Sequence, residues 1–189
     1  MTFSPTQVKH IEYLKGEIKA HINKMRSQSW AKLPWNYLIL SGGVFASILQ
    51  ADKPKDWDFY FTDYDAMMNT KLHLESCKED IKDVDEEYKD VIGVDGKMIT
   101  ANAITMDDGS SFITMMYGTS DAIKKTFDYV HCTPHYSLSL DKLFISPLQY
   151  KACVEKLLYV NNPLAVKDKR INKFIARGYT IGSYSESNL

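Results

Sequence analysis

Two groups of residues in the first third of the chain could do chemistry together. Asp56 and Asp58 stand two apart in Asp56-Trp57-Asp58-Phe59-Tyr60-Phe61, and Ser41-Gly42-Gly43 stands a short way ahead of them. In a strand, alternate residues share a face, so Trp57, Phe59 and Phe61 point one way and Asp56, Asp58 and Tyr60 the other. Two carboxylates side by side repel, which is unfavourable unless that face is wet or a cation sits between them. Hard oxygen ligands in such a pair suit Mg²⁺, which takes one or two protein carboxylates plus substrate phosphates. The diglycine turn supplies the complement. Glycine lets the backbone approach a ligand closely, and N–H groups at a helix start favour an anion such as a triphosphate.

The elements that must position these groups are short and local. Tyr37 to Leu40 is an apolar run of strand formers that the glycines break, and Val44 to Leu49 makes a turn or two of helix. Lys53-Pro54-Lys55 stops that helix, because proline has no N–H to donate. Asp56 to Phe61 then resumes as a strand. The whole stretch reads strand, glycine turn, helix, loop, strand.

Ser41-Gly42-Gly43 followed by Asp56-Trp57-Asp58 resembles the signature of polymerase-β-like nucleotidyltransferases, the group that holds CCA-adding enzymes and poly(A) polymerases. The resemblance implies that the glycine turn binds nucleotide phosphates and that the two aspartates hold the metals. It also implies a third carboxylate on a later strand. Asp128, inside the apolar run Phe127 to Cys132, lies where that carboxylate would come from; the alternative is an Asp that caps a turn or pairs with a lysine. The chain as a whole resembles small nucleotidyltransferase-fold proteins encoded by tailed phages. Phe127-Asp128-Tyr129-Val130-His131-Cys132 and Arg170…Lys173-Phe174…Arg177-Gly178 carry that second likeness.

The remaining pattern sets limits. A chain of 189 residues suits one domain with a small appendage, divided as 1–145 for the nucleotidyltransferase-like part and 146–189 for a C-terminal helical appendage. A net charge of −1 gives no global argument for nucleic-acid binding. Cys77, Cys132 and Cys153, odd in number and far apart, fit a reducing cytosol better than a disulfide framework. There is no membrane-spanning run and no signal-peptide pattern, so a cytoplasmic location is expected, the host cytoplasm for a phage protein.

Val8, Ile11, Leu14, Ile18, Ile22 and Met25 predict a first helix that opens at Ser4-Pro5. Thr62-Asp63-Tyr64-Asp65 offers a second Asp-x-Asp, but a cap for a helix running to about Cys77 explains it better. Glu79 to Asp90 is an acidic run, read as a solvated face or loop. Asp95-Gly96 is a turn, and Asp107-Asp108-Gly109 joins Met98–Met106 to Ser111–Tyr117 as a hairpin. Ser120 to Thr126 is a short helix capped by Ser120, and Phe127 to Cys132 a strand. His131, Cys132 and His135 lack the fourth ligand a structural zinc needs. A helix is expected from Ser146-Pro147 to about Val160, and another from Leu164 to Arg177 closed by Gly178, with a polar tail after it. On that last helix Arg170, Lys173 and Arg177 share one face, either a solvated basic face or a patch that meets a triphosphate or a nucleic-acid backbone.

The expected fold is α/β: a small mixed sheet with helices packed on one face and the Asp56/Asp58 face open. The expected activity moves a nucleoside monophosphate from an NTP to a hydroxyl on RNA, protein or a small molecule, with Mg²⁺, or alternatively Mn²⁺, as cofactor. The residues for it are Asp56, Asp58 and Asp128 for metal and catalysis, with Ser41, Gly42, Gly43, Arg170, Lys173 and Arg177 for the nucleotide. The alternative is a non-catalytic protein that captures a nucleotide or host partner on the same fold.

Overall fold

The structure, a computed structural model, describes residues 2–76 and 102–182. Helix α1 (Pro5–Arg26) begins with a reciprocal cap: Gln7 N–H donates to Ser4 Oγ and Ser4 N–H donates to the Gln7 side chain. Its stripe of Leu14, Ile18, Ile22 and Met25 is buried. The central stretch folds in the expected order, as β1 (Leu38–Ser41), α2 (Val44–Leu49) and β2 (Trp57–Phe61). Asp63 then caps α3 (Tyr64–Ser76), its Oδ1 accepting from Ala66 N–H at 2.8 Å.

Strands β3 (Ala103–Thr105) and β4 (Ser110–Tyr117) form the expected hairpin about Asp107-Asp108-Gly109, with Gly109 at φ +86°. Helix α4 (Ser120–Lys124) is capped by Thr119, one residue earlier than the sequence suggests. Strands β5 (His135–Ser137) and β6 (Lys142–Phe144) complete a six-stranded sheet of order β3-β4-β2-β1-β5-β6. It is mixed: β2 and β4 run parallel, and the other neighbours are antiparallel.

One face of this sheet carries the main core. Trp57, Phe59 and Phe61 are buried in one cluster with Leu38, Leu40, Phe112 and apolar residues of α1, α2, α3 and α5 (Pro147–Val154). Each fully buried phenylalanine contributes roughly 1.5–3 kcal/mol by leaving water. The opposite face is not open throughout. Tyr60 packs with Ile39, Ile123 of α4 and Phe127, so the strand is covered at Tyr60 and accessible only near its Asp58 end.

Three expectations are corrected in the last third. Phe127 to Cys132 is no strand: Val130–Cys132 is a 3₁₀ turn, and Tyr129 makes a single bridge to Val160. Remote asparagines hold it in that shape. The Asp128 carbonyl accepts from the backbone N–H of Asn161, and the Asn161 amide donates to the carbonyls of Lys124 and Phe127. Helix α5 stops at Val154, because Lys156 adopts φ +54° and Leu157–Leu158 (β7) pairs in parallel with Thr180–Ile181 (β8). The final helix, α6, spans only Asp168–Ile175, after a 3₁₀ turn at Pro163–Ala165; Gly178 follows at φ +82°.

A second cluster of Tyr129, Cys132, Leu158, Phe174 and Tyr179 ties α6 to the Asp128 segment. Among the described residues no helix is long and apolar enough to cross a membrane. The acidic run, the Asp95-Gly96 turn, Cys77 and the tail after Gly182 lie outside the described residues.

Candidate active site

Strand β1 brings the chain to Gly42, whose φ of +98° turns it into α2. Only glycine suits this position. A Cβ there would lie 2.9 Å from Asp58 Oδ2, in a conformation that L side chains disfavour. The turn and the carboxylate are therefore in direct contact. In the sheet register Asp58 is flanked by Ser41 on β1 and Ser111 on β4, while Asp56 stands exposed just ahead of β2.

A cleft of about 510 Å³ opens at this end of the sheet. That lies within the usual range for small-molecule sites. Gly43, Val44, Ser47, Asp56 and Asp58 line it from the β1–α2–β2 unit, and Arg170, Lys173, Phe174 and Arg177 line it from α6 and its end. Lys53, Lys55 and Lys156 add further positive charge, and His131, Gln50 and Tyr179 complete the lining that matters here.

The charges are unbalanced within this space. Burial, and next the charge of Asp56, pushes the Asp58 carboxyl up to about 7, although Arg170 and Lys173 pull it down. Burial, with Arg177 and Arg170 nearby, holds the Lys173 amine below its usual range. A ligand bringing both anionic phosphates and a divalent cation would relieve both strains.

The structure gathers Gly43, Asp56, Asp58, Arg170, Lys173 and Arg177 around one cleft. Asp128, expected as the third carboxylate, is not among the residues that line it. Asp128 is 3 % exposed; both its oxygens accept from the Arg170 guanidinium, and Oδ1 also accepts from Tyr129 N–H. The acidic residue is thereby a mount for Arg170, close to the alternative reading of an ion-paired Asp. Ser41 does not line the cleft either. It is 1 % exposed and its hydroxyl donates to the Pro134 carbonyl at 2.8 Å, while Gly42 N–H donates to the Cys132 carbonyl. Of the three turn residues only Gly43 lines the cleft, joined by Val44 and Ser47.

Sequence reasoning missed Lys53, Lys55, Lys156, His131, Gln50 and Tyr179. Lys53 and Lys55 had a signal, since they immediately precede Asp56, but they read as part of a helix stop. His131 stands in the Phe127–Cys132 run and in a zinc grouping short of its fourth ligand, whereas Lys156, Gln50 and Tyr179 reach the cleft through tertiary packing and had no signal.

The donor set fits a hard divalent cation. Asp56 and Asp58 line the cleft together with Asp52, and Asp58 is made reluctant to ionise beside a glycine whose missing side chain leaves room at the oxygen. Among the described residues no third acidic, histidine or cysteine side chain joins Asp56 and Asp58 as a metal-binding group.

Residues 12–156 match the family described as Gad2: Gabija anti-defense 2 family protein. The chain belongs to the Gabija anti-defense 2 family. No match was found among curated proteins. Among solved structures, this Gad2 family member is similar to the Thermotoga maritima CCA-adding enzyme complexed with tRNA, at TM-score 0.53 and 15% identity, over 98% of this chain and 41% of that one. A tRNA-processing enzyme with CTP gives TM-score 0.53 and 15% identity over 80% and 41% of the two chains. A tRNA nucleotidyltransferase complexed with a primer tRNA and an incoming ATP analog gives 0.52 and 13% over 80% and 45%. At these identities the likeness establishes the fold, which is the polymerase-β-like nucleotidyltransferase fold. The Gad2 family chain spans about two fifths of the length of these enzymes.

Proposed function

We propose that this protein is a metal-dependent nucleotidyltransferase that acts against the Gabija system by attaching a nucleoside monophosphate to a hydroxyl acceptor. The observation that carries this reading is the sharing of one cleft by Asp56 and Asp58, the Gly43 turn and the cations of α6. Asp56 and Asp58 would hold Mg²⁺ or Mn²⁺. Bound there, the ion would polarise the α-phosphate and make the acceptor hydroxyl a better nucleophile. Lys173 and Arg177 hold the β- and γ-phosphates, with Arg170 kept in place by Asp128, and the Gly43–Val44 backbone lets the triphosphate lie close. The acceptor oxygen gives up its proton to water and forms its bond to the α-phosphorus as the bond to the α–β bridging oxygen breaks, and pyrophosphate leaves with the electron pair.

The family name makes a Gabija component the first acceptor to try, inside the infected cell's cytoplasm; RNA and small molecules stand beside it. A second reading, a non-catalytic binder, is favoured by one observation. The strand neighbours of Asp58 are serines, and Asp128 is already paired with Arg170. Incubation with each α-labelled NTP, Mg²⁺ and either Gabija proteins or host RNA separates the two. The expected result is label in one fraction that falls at least about 100-fold for Asp58→Asn, the scale of a lost transition-state interaction. No transfer by wild type, with full anti-defense effect retained by the Asp56→Asn/Asp58→Asn double variant, would establish the binder.

A further inference from the structure

His131 is a buried polar group at the cleft that the nucleotide reading leaves unexplained. The residue is 1 % exposed, yet it lines the cleft. Among the described residues neither ring nitrogen has a hydrogen-bond partner. Its surroundings are aromatic: the ring lies 4.7 Å from Phe174 edge-on, 4.8 Å from Tyr179 and 5.9 Å from Tyr129. A histidine kept only for packing normally donates to a carbonyl or carboxylate, since buried polar groups are nearly always matched.

The backbone around it is matched. The His131 carbonyl accepts from Cys153 Sγ, the Val130 carbonyl from the Thr133 hydroxyl, and the Thr133 hydroxyl from the Gln149 amide. Only the imidazole is left over, at the edge of a space sized for a small molecule.

We propose that His131 is a specificity residue that hydrogen-bonds the nucleoside half of the bound nucleotide, through a ribose hydroxyl or an edge of the base. This rests on the nucleotide reading of the same cleft. Two observations point to the nucleoside rather than the phosphates. Burial lowers the imidazole to about 4, so it is neutral at pH 7 and offers one donor and one acceptor, not a charge. Its neighbours in the lining, Phe174 and Tyr179, are rings suited to a sugar or base, and Gln50 donates to the Tyr179 hydroxyl at 3.0 Å, placing a second neutral polar group there. Lys53, Lys55, Lys173 and Arg177 supply the charge that phosphates require. The cleft thus offers aromatic and neutral polar groups beside its cations, with Arg170 lying over the Phe174 ring.

The test is calorimetric titration of the full chain with the four NTPs and, separately, with inorganic tripolyphosphate. His131→Phe keeps a ring in the aromatic cage and removes both nitrogens; His131→Gln keeps a donor and an acceptor. For the tightest NTP, His131→Phe should lose about tenfold or more in affinity, with tripolyphosphate changed less than about twofold, and His131→Gln should fall between. The 2′-deoxy and 3′-deoxy forms and the base series locate the partner. Whichever analogue loses the same factor with wild type should lose nothing further with His131→Phe. Equal NTP affinity in a folded His131→Phe, or an equal loss for tripolyphosphate, overturns the proposal; if that variant does not fold, a His131→Gln that loses NTP affinity and changes discrimination among the base or sugar analogues, with tripolyphosphate binding kept, lends support, and wild-type affinity and discrimination throughout, or lost tripolyphosphate binding, overturns it. Wild type that binds tripolyphosphate but discriminates no nucleoside would sink this inference alone, whereas wild type that binds neither would sink the nucleotide reading with it.

Discussion

Asp58 and Asp128 are both carboxylates sunk into the protein, and they end in opposite chemical situations. Asp128 accepts two hydrogen bonds from Arg170 and one from a backbone N–H, so its charge is matched from within. Asp58 has serines on both neighbouring strands, and Asp56, of like sign, opposes its ionisation. An internally satisfied carboxylate holds structure in place. A carboxylate that the fold leaves in deficit can be satisfied only from outside, which is the condition of a binding site.

The sharpest way to break this contrast is stability, where the two residues should give opposite signs. Asp58→Asn removes a charge the fold disfavours. The folded carboxyl titrates near 7, above the ordinary value of about 3.9, so the native state holds the proton more tightly than the unfolded chain. Stability from that proton is complete below about pH 4 and is lost as pH rises through 7. Metal-free Asp58→Asn should therefore melt about 4–8 °C above wild type at pH 8. The gap should close towards pH 4, and Mg²⁺ with NTP should stabilise wild type alone. A pH-independent gap in calorimetric melting would contradict the idea.

Asp128→Asn should move the other way, destabilising by about 1–3 kcal/mol because it leaves the Arg170 guanidinium without its counter-charge. Denaturant titration between pH 6 and 9 checks it, and the loss should not vary over that range. A comparable gain in stability would erase the distinction between the two residues.

The basic face sharpens the same point. The sequence alone recommends reversing Arg170, Lys173 and Arg177 together, but Arg170→Glu would set a carboxylate against Asp128. Reversing only Lys173 and Arg177 should cut NTP affinity about tenfold, or roughly 1.4 kcal/mol, with melting nearly unchanged. The smallest effect belongs to the other Asp-x-Asp. Asp63→Ala removes the α3 cap and should cost about 0.5–2 kcal/mol, with nucleotide transfer at the wild-type rate.

What could be read in the sequence was what is local. Ser41 to Phe61 announces itself because glycine, proline and strict alternation act within a few residues. The cap at Ser4 and the turn at Gly109 were legible for the same reason. The Asp128 segment was not, because its apolar run fits a strand, and the hydrogen bonds that hold it otherwise come from Asn161 and Asn162, far along the chain. The stop after Val154 was equally hidden, since Lys156 takes a left-handed conformation without being glycine. Of the site, the acidic half was visible as a motif, while Gln50 and Tyr179 entered by packing alone.

The pairing of Asp128 with Arg170 also sets an order of assembly. The acidic half of the cleft is complete once β1 and β2 have paired, yet the basic half waits for α6, and nearly the whole interval from Asp58 to Arg170 must be threaded first. On a ribosome the carboxylates would be exposed well before the α6 cations emerge, as N-terminal parts leave the tunnel first. Closing so long an interval is entropically dear but grows only slowly with its length. A nascent chain lacking α6 would thus carry the whole recognisable motif with only the Gly43 turn and the lysines ahead of α6 to grip a triphosphate.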